Sequence, residues 1–217
     1  CTMDGNTAKD GGVVHVASGG TATFNGCALN RNTADDAGGV AYVDGAGSMA
    51  LFNDCSLNEN TANQGGAFRI INQGNIKSQG STFNGNIAID LGGVATISGV
   101  ESTATFTDCL TTNNAASSEN KGPVYYALGG ASLTIINPRD NSQTDAIGSY
   151  QSSPALVTCT SGSITKVCGS TNAQTCSDAA SPILGIFCTY SDAAPSPNSS
   201  SDGTTNETSK TPSPYSD

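Results

Sequence analysis

Cys55-Ser56-Leu57-Asn58-Glu59-Asn60-Thr61-Ala62-Asn63-Gln64-Gly65-Gly66 is the stretch that decides the fold, because it recurs. Cys1-Thr2-Met3-Asp4-Gly5-Asn6-Thr7-Ala8 leads to Gly11-Gly12, and Cys27-Ala28-Leu29-Asn30-Arg31-Asn32-Thr33-Ala34 leads to Gly38-Gly39. Ser81-Thr82-Phe83-Asn84-Gly85-Asn86-Ile87-Ala88 leads to Gly92-Gly93, and a decayed copy, Cys109-Leu110-Thr111-Thr112-Asn113-Asn114-Ala115-Ala116, leads to Gly122-Pro123. Gly11, Gly38, Gly65 and Gly92 stand 27 residues apart, and Asn6, Asn32, Asn60, Asn86 and Asn114 are separated by 26, 28, 26 and 28. A fixed period of this length marks stacked units, none of which can bury a core alone.

Each Gly-Gly is followed by a short apolar run, such as Val40-Ala41-Tyr42-Val43 or Ala67-Phe68-Arg69-Ile70. A Gly-rich turn and a second run follow, such as Ala50-Leu51-Phe52 or Ala104-Thr105-Phe106. The Cys-x-Leu-x-x-Asn segment then closes the unit. No helical period appears, so each unit is expected to form three strands joined by three corners. That is the size of one rung of a parallel β-helix. A leucine-rich repeat needs an L-x-x-L-x-L pattern that is absent, and a propeller blade needs about 40 residues. The predicted fold is therefore all-β: a single-stranded parallel β-helix of about five 27-residue rungs over residues 1–137.

Stacking rungs about 4.8 Å apart places equivalent residues in columns. Val16, Val43, Ile70, Ile97 and Ala127 should point inward, as should Phe24, Phe52 and Phe106, and Met3, Leu29, Leu57 and Phe83. The asparagine column should form a ladder of amide hydrogen bonds, with Asn itself in the left-handed conformation that a corner needs. The Gly-Gly pairs should supply corners where no Cβ fits.

The Gly-Gly-Ala/Val motif alternating with Phe-x-x-Asn resembles the repeats of chlamydial polymorphic outer membrane proteins and related right-handed β-helix proteins. Phe83-Asn84-Gly85-Asn86 matches the second motif in full, and Leu57-Asn58-Glu59-Asn60, Leu29-Asn30-Arg31-Asn32 and Met3-Asp4-Gly5-Asn6 match it with an aliphatic residue in place of Phe. The resemblance covers about residues 1–137 and implies a right-handed coil with surface-exposed adhesive or structural use. Those bacterial proteins end in an outer-membrane barrel, whereas this chain ends in a polar tail.

Composition narrows the function classes. The 217-residue chain has a net charge of −10 and only eight Lys and Arg. This argues against nucleic acid and against anionic membrane surfaces, and there is no apolar run long enough for membrane insertion. Eight cysteines point to an oxidising compartment, hence an extracellular or cell-surface location. With a single His and no C-x-x-C, no metal and no cofactor are expected. The chain opens on Cys1, inside a repeat, and reads as a processed chain or fragment.

All eight cysteines are disulfide candidates: Cys1, Cys27, Cys55, Cys109, Cys159, Cys168, Cys176 and Cys188. Cys1, Cys27 and Cys55 share one column, so either Cys1–Cys27 or Cys27–Cys55 is expected. The alternative is buried free thiols. Ser81 takes the Cys position in the fourth rung, which would send Cys109 to a partner in the C-terminal part. Residues 138–191, with the last four cysteines, are expected to form a disulfide-rich cap over the end of the solenoid. Residues 192–217 form a Ser/Thr/Pro-rich tail carrying two N-glycosylation sequons, at Asn198 and Asn206.

No catalytic residues are assigned. The strands after Gly-Gly carry no Asp or Glu, while Asp36 with Asp90, and Asp54 with Asp108, are predicted two rungs apart, roughly 10 Å. That is too sparse for an acid–base pair or a calcium cage. The outward column of the same sheet, His15, Tyr42, Arg69, Thr96 and Tyr126, is a candidate contact strip, since Tyr and Arg anchor interfaces. The expected function is that of a non-enzymatic secreted structural or adhesive protein, a subunit of an extracellular filament or surface coat. The open first rung would accept another rung. The expected partners are other subunits, self or related β-helix chains, together with attached glycans. Alternatives are a glycan-binding adhesin and a polysaccharide lyase- or hydrolase-like β-helix.

Overall fold

The computed structural model describes residues 1–117, 124–136 and 139, and beyond these the backbone of six short strands between 146 and 183. Among the described residues there is no helix. The chain winds as a parallel β-helix of about five coils.

The first coil contributes β1 (Thr7–Asp10), β2 (Val14–Val16) and β3 (Thr21–Asn25), and the second β4 (Thr33–Ala37), β5 (Ala41–Asp44) and β6 (Met49–Asn53). The third contributes β7 (Ser56–Asn58), β8 (Thr61–Gln64), β9 (Phe68–Ile71) and β10 (Asn75–Gln79). The fourth contributes β11 (Thr82–Asn84), β12 (Ile87–Leu91), β13 (Ala95–Ser98) and β14 (Thr103–Thr107). The fifth contributes β15 (Leu110–Thr112), β16 (Ala115–Ala116), β17 (Tyr125–Leu128) and β18 (Ser132–Ile136). Thr2 and Ala28 hold the place of the Cys-x-Leu strand in the first two coils as single parallel bridges.

Each coil thus has four strand positions, not three. The extra one is the Asn-Thr-Ala segment before Gly-Gly, which stacks as β1-β4-β8-β12-β16. Its inward residues, Ala34, Ala62 and Ala88, are small, so no apolar run announced it. The β2-β5-β9-β13-β17 and β3-β6-β10-β14-β18 sheets both run past residue 137. They add β19 (Ala146–Ser149) and β20 (Leu156–Thr160), both parallel. The latter sheet then ends on an antiparallel pairing of β20 with Ser181–Ile183. The two sequons and the tail, 192–217, lie outside the described residues, as do Gly122 and Pro123.

The predicted inward columns are buried, from Val16 to Ala127 and from Leu29 to Phe83. Met3 is the exception at 38% exposed. It lies in the first of the described coils. Phe24, Phe52 and Phe106 stack as expected, but Phe68 joins them from β9, between Phe52 and Phe106.

The asparagine ladder forms, with one difference. The left-handed residue is the one before each ladder asparagine: Gly5, Arg31, Glu59, Gly85 and Asn113, with φ between 50° and 70°. The ladder asparagines themselves do not have positive φ, and their amides bond to the next coil. Asn60 donates its backbone N–H (3.0 Å) and its Nδ2 (2.9 Å) to Asn86 Oδ1, and Asn32 does the same to Asn60 Oδ1. A second ladder runs two residues upstream with opposite polarity. Asn30, Asn58 and Asn84 donate their backbone N–H back to Asp4, Asn30 and Asn58 at 2.8, 2.9 and 3.0 Å. Each corner is thereby tied to the coil on both sides.

The second glycine of each pair is required by stacking. A Cβ on Gly39 would lie 2.2 Å from the Gly66 carbonyl oxygen, and one on Gly12 would lie 2.3 Å from that of Gly39.

Candidate functional site

Parallel register aligns His15, Tyr42, Arg69, Thr96 and Tyr126 in one column across β2, β5, β9, β13 and β17. The column is real, but only its first three members reach solvent. His15 is exposed, while Tyr42 and Arg69 are half-buried. Thr96 and Tyr126 are buried at 0% and 3%, so they do not belong to a contact strip. Thr96 turns its hydroxyl onto the Leu91 carbonyl, 2.7 Å away, which spends its polarity inside the fold. Tyr125 and Tyr126, on alternate faces, are both buried, so period-two patterning gave the face of the second ring but not its burial.

The remaining strip is compact. The His15 and Tyr42 rings meet edge-on with centroids 4.7 Å apart. Burial pushes the Tyr42 phenol above its ordinary value, and the carboxylates of Asp44 and Asp10 push the same way, so the ring stays neutral. Burial also lowers the Arg69 guanidinium, which Tyr42 and Asp36 partly offset. Arg69 Nη1 is buried with no hydrogen-bond partner. Asp36 therefore belongs to the surroundings of the strip. Asp54 and Asp108 each occupy a left-handed corner, with φ of 52° and 50°. Among the described residues no group of three or more His, Cys, Asp or Glu side chains is placed to hold a metal ion.

The cysteine column resolves in favour of Cys1–Cys27, with Cα atoms 4.6 Å apart. Cys55 and Cys109 are free, buried thiols, so Cys109 does not pair into the C-terminal part. The column is itself a ladder. The Cys55 N–H donates to Ser81 Oγ at 3.1 Å, and the Cys55 and Cys109 thiols reach back to the Phe24 and Ser78 carbonyls, each at 3.5 Å. Ser81 Oγ in turn donates to the Phe52 and Gln79 carbonyls. Serine replaces cysteine there without breaking the chain of bonds, because both are small hydrogen-bonding groups. Only the backbone of Cys159, within β20, is described. Cys168, Cys176, Cys188, Asn198 and Asn206 lie outside the described residues.

A broader face was not singled out from sequence. The outward positions of β3, β6, β10, β14 and β18 form a grid of three columns in continuous register, one of which is Thr23, Leu51, Lys77, Thr105 and Thr134. No side chain of the grid is buried, and on these strands Lys77 is its single charge. Thr, Asn, Gln and Ser make up most of the rest. Asn53 Nδ2 donates to Asn25 Oδ1 at 2.8 Å across this face, and Asn75 Nδ2 donates to Thr103 Oγ1. The signal in the sequence was the Thr-Ala-Thr-Phe repeat at 21–24 and 103–106, whose outward threonines stand out only once the register is known.

No helix among the described residues is long and apolar enough to cross a membrane. Comparison with protein-family models, with curated proteins and with solved structures found no match.

Proposed function

We propose that the chain is a non-enzymatic, secreted structural or adhesive protein, a subunit of an extracellular filament or surface coat. The observation that supports it most directly is the grid on β3, β6, β10, β14 and β18. In a chain of net charge −10, these strands present one cation and otherwise hydroxyl, amide and apolar groups. Uncharged polar groups cost less to desolvate than ions when pressed against another surface. Every strand of the grid is paired in register with its neighbours, so little backbone ordering opposes contact. The Cys1–Cys27 bond agrees with an oxidising extracellular setting.

The test is electron microscopy and particle mass of native material, with adhesion to insoluble polysaccharide and protein matrices measured alongside. Filaments, coats or adhesion that Thr105→Glu abolishes without altering thermal stability support the proposal. Monodisperse monomers that adhere to none of these surfaces sink it. A second reading, glycan binding, is favoured by Tyr42 and Arg69: a half-exposed ring in register with a half-buried guanidinium residue on the next strand suits a sugar face and its carboxylate or hydroxyls. A glycan array on the Tyr42→Ala and Arg69→Ala variants separates it from the grid.

A further inference from the structure

Cys1, Cys27 and Cys55 stand on three successive coils. Ala28 bridges in parallel to both Thr2 and Ser56, so Cys27 has Cys1 on one side and Cys55 on the other. The Cys1–Cys27 pair is bonded. The Cys55 sulfur is a free thiol that donates to the Phe24 and Asn53 carbonyls at 3.5 and 3.3 Å. Coils about 4.8 Å apart place the Cys27–Cys55 pair within the Cα separation that a disulfide spans, just as for Cys1–Cys27. Thiol–disulfide exchange proceeds by attack of a thiolate on one sulfur of a disulfide, and Cys55 stands on the coil next to Cys27, the bonded cysteine it would attack.

The geometry points to a disulfide relay built into this column, in which Cys55 exchanges with the Cys1–Cys27 bond. The Cys55 thiolate attacks the sulfur of Cys27. The Cys27–Cys55 bond forms, the Cys1–Cys27 bond breaks, and Cys1 leaves as a thiolate. One disulfide is lost and one gained, and the proton released by Cys55 is balanced by the one Cys1 takes up. No oxidant or reductant is consumed.

The two end states differ in what they present. Cys55 is 3% exposed, whereas Cys1 is exposed. Exchange moves the covalent staple one coil along the stack and frees the Cys1 thiol. The relay does not depend on the grid or on the Tyr42–Arg69 strip.

The experiment uses the full chain, never reduced, held at mildly alkaline pH under native conditions with iodoacetamide. It is then digested without reduction and its peptides are identified by mass. Alkylated Cys1 together with a Cys27–Cys55 cross-link, accumulating with time, is the expected result. Cys55→Ser should lose Cys1 labelling entirely, and Cys109→Ser should leave it unchanged. Alkylated Cys55 with an intact Cys1–Cys27 bond overturns the relay, as does the absence of any labelled cysteine. A Cys1→Ser variant treated with oxidised glutathione checks the product state. It should form Cys27–Cys55, and its failure to do so at wild-type thermal stability also overturns the relay.

Discussion

The ring of Phe68 fills the space that Ser78 leaves in the aromatic column. Ser78 pairs in register with Phe52 and Phe106, and the Phe68 centroid lies 4.7 Å from that of Phe52 and 6.2 Å from that of Phe106. Ala41 and Ala95, the in-register neighbours of Phe68, are small enough to admit it. Phe68→Ala should therefore cost about 3–5 kcal/mol, and Ser78→Phe alone about 1–3 kcal/mol through overpacking. The double variant should recover part of the loss. Chemical denaturation of all four proteins measures the coupling, and simple addition of the two losses would contradict a shared space.

Asn60 carries the ladder through the middle of the stack. Asn60→Ala removes the acceptor for both Asn32 donors and leaves them buried. At about 1–3 kcal/mol per unsatisfied group, the variant should lose about 3 kcal/mol or more. In a domain of this size that lowers Tm by roughly 6–12 °C. Asn6→Ala, at the exposed end, should cost less than about 1 kcal/mol. Equal losses at the two positions would show that the ladder is not the cause.

Glycines of two kinds should respond differently to alanine. Gly5 has φ +69° and open space around it, so Gly5→Ala incurs only left-handed strain, about 1–2 kcal/mol. Gly39→Ala must move the Gly66 carbonyl and with it the next coil. It is expected to yield insoluble or unfolded protein. Circular dichroism on the soluble fraction decides the case.

Ser81 tests the thiol–hydroxyl ladder. Ser81→Ala leaves the Cys55 N–H without its acceptor and should cost about 1–3 kcal/mol. Ser81→Cys keeps a polar atom there and should cost much less. If the two variants melt together, the column is only a row of small fillers.

Cys109 gives an alkaline signature. Burial holds its thiol above the ordinary value of 9.0, with hydrogen bonds to Ser78 and Ser81 pulling the other way. The folded protein thus keeps a proton that the unfolded chain releases. Its contribution to stability is whole below pH 9.0 and is lost as pH rises through the folded value. Thermal melts from about pH 8 to about pH 11 should fall less steeply for Cys109→Ser than for wild type. Parallel curves would assign the alkaline loss to other groups.

The repeat, and with it the coil, was legible from sequence alone. Stacking demands the same residue at the same corner in every coil, so Gly12, Gly39 and Gly66, and Asn32, Asn60 and Asn86, write the period directly into the chain. The inward columns followed from alternation along the strands. The fourth strand did not, because alanine fills its narrow interior and leaves no apolar run.

Three features waited on tertiary structure. Which cysteine Cys27 chose was open, because columns place Cys1 and Cys55 equally near and only the assembled coil decides. Phe68 took the place of Ser78 because packing conserves volume, not sequence position. The contact strip shrank to His15, Tyr42 and Arg69 because alternation says which face of a sheet a residue is on, but not whether that face is covered. Period and pairing are local consequences of backbone geometry, whereas exposure and bond choice depend on what the rest of the chain brings alongside.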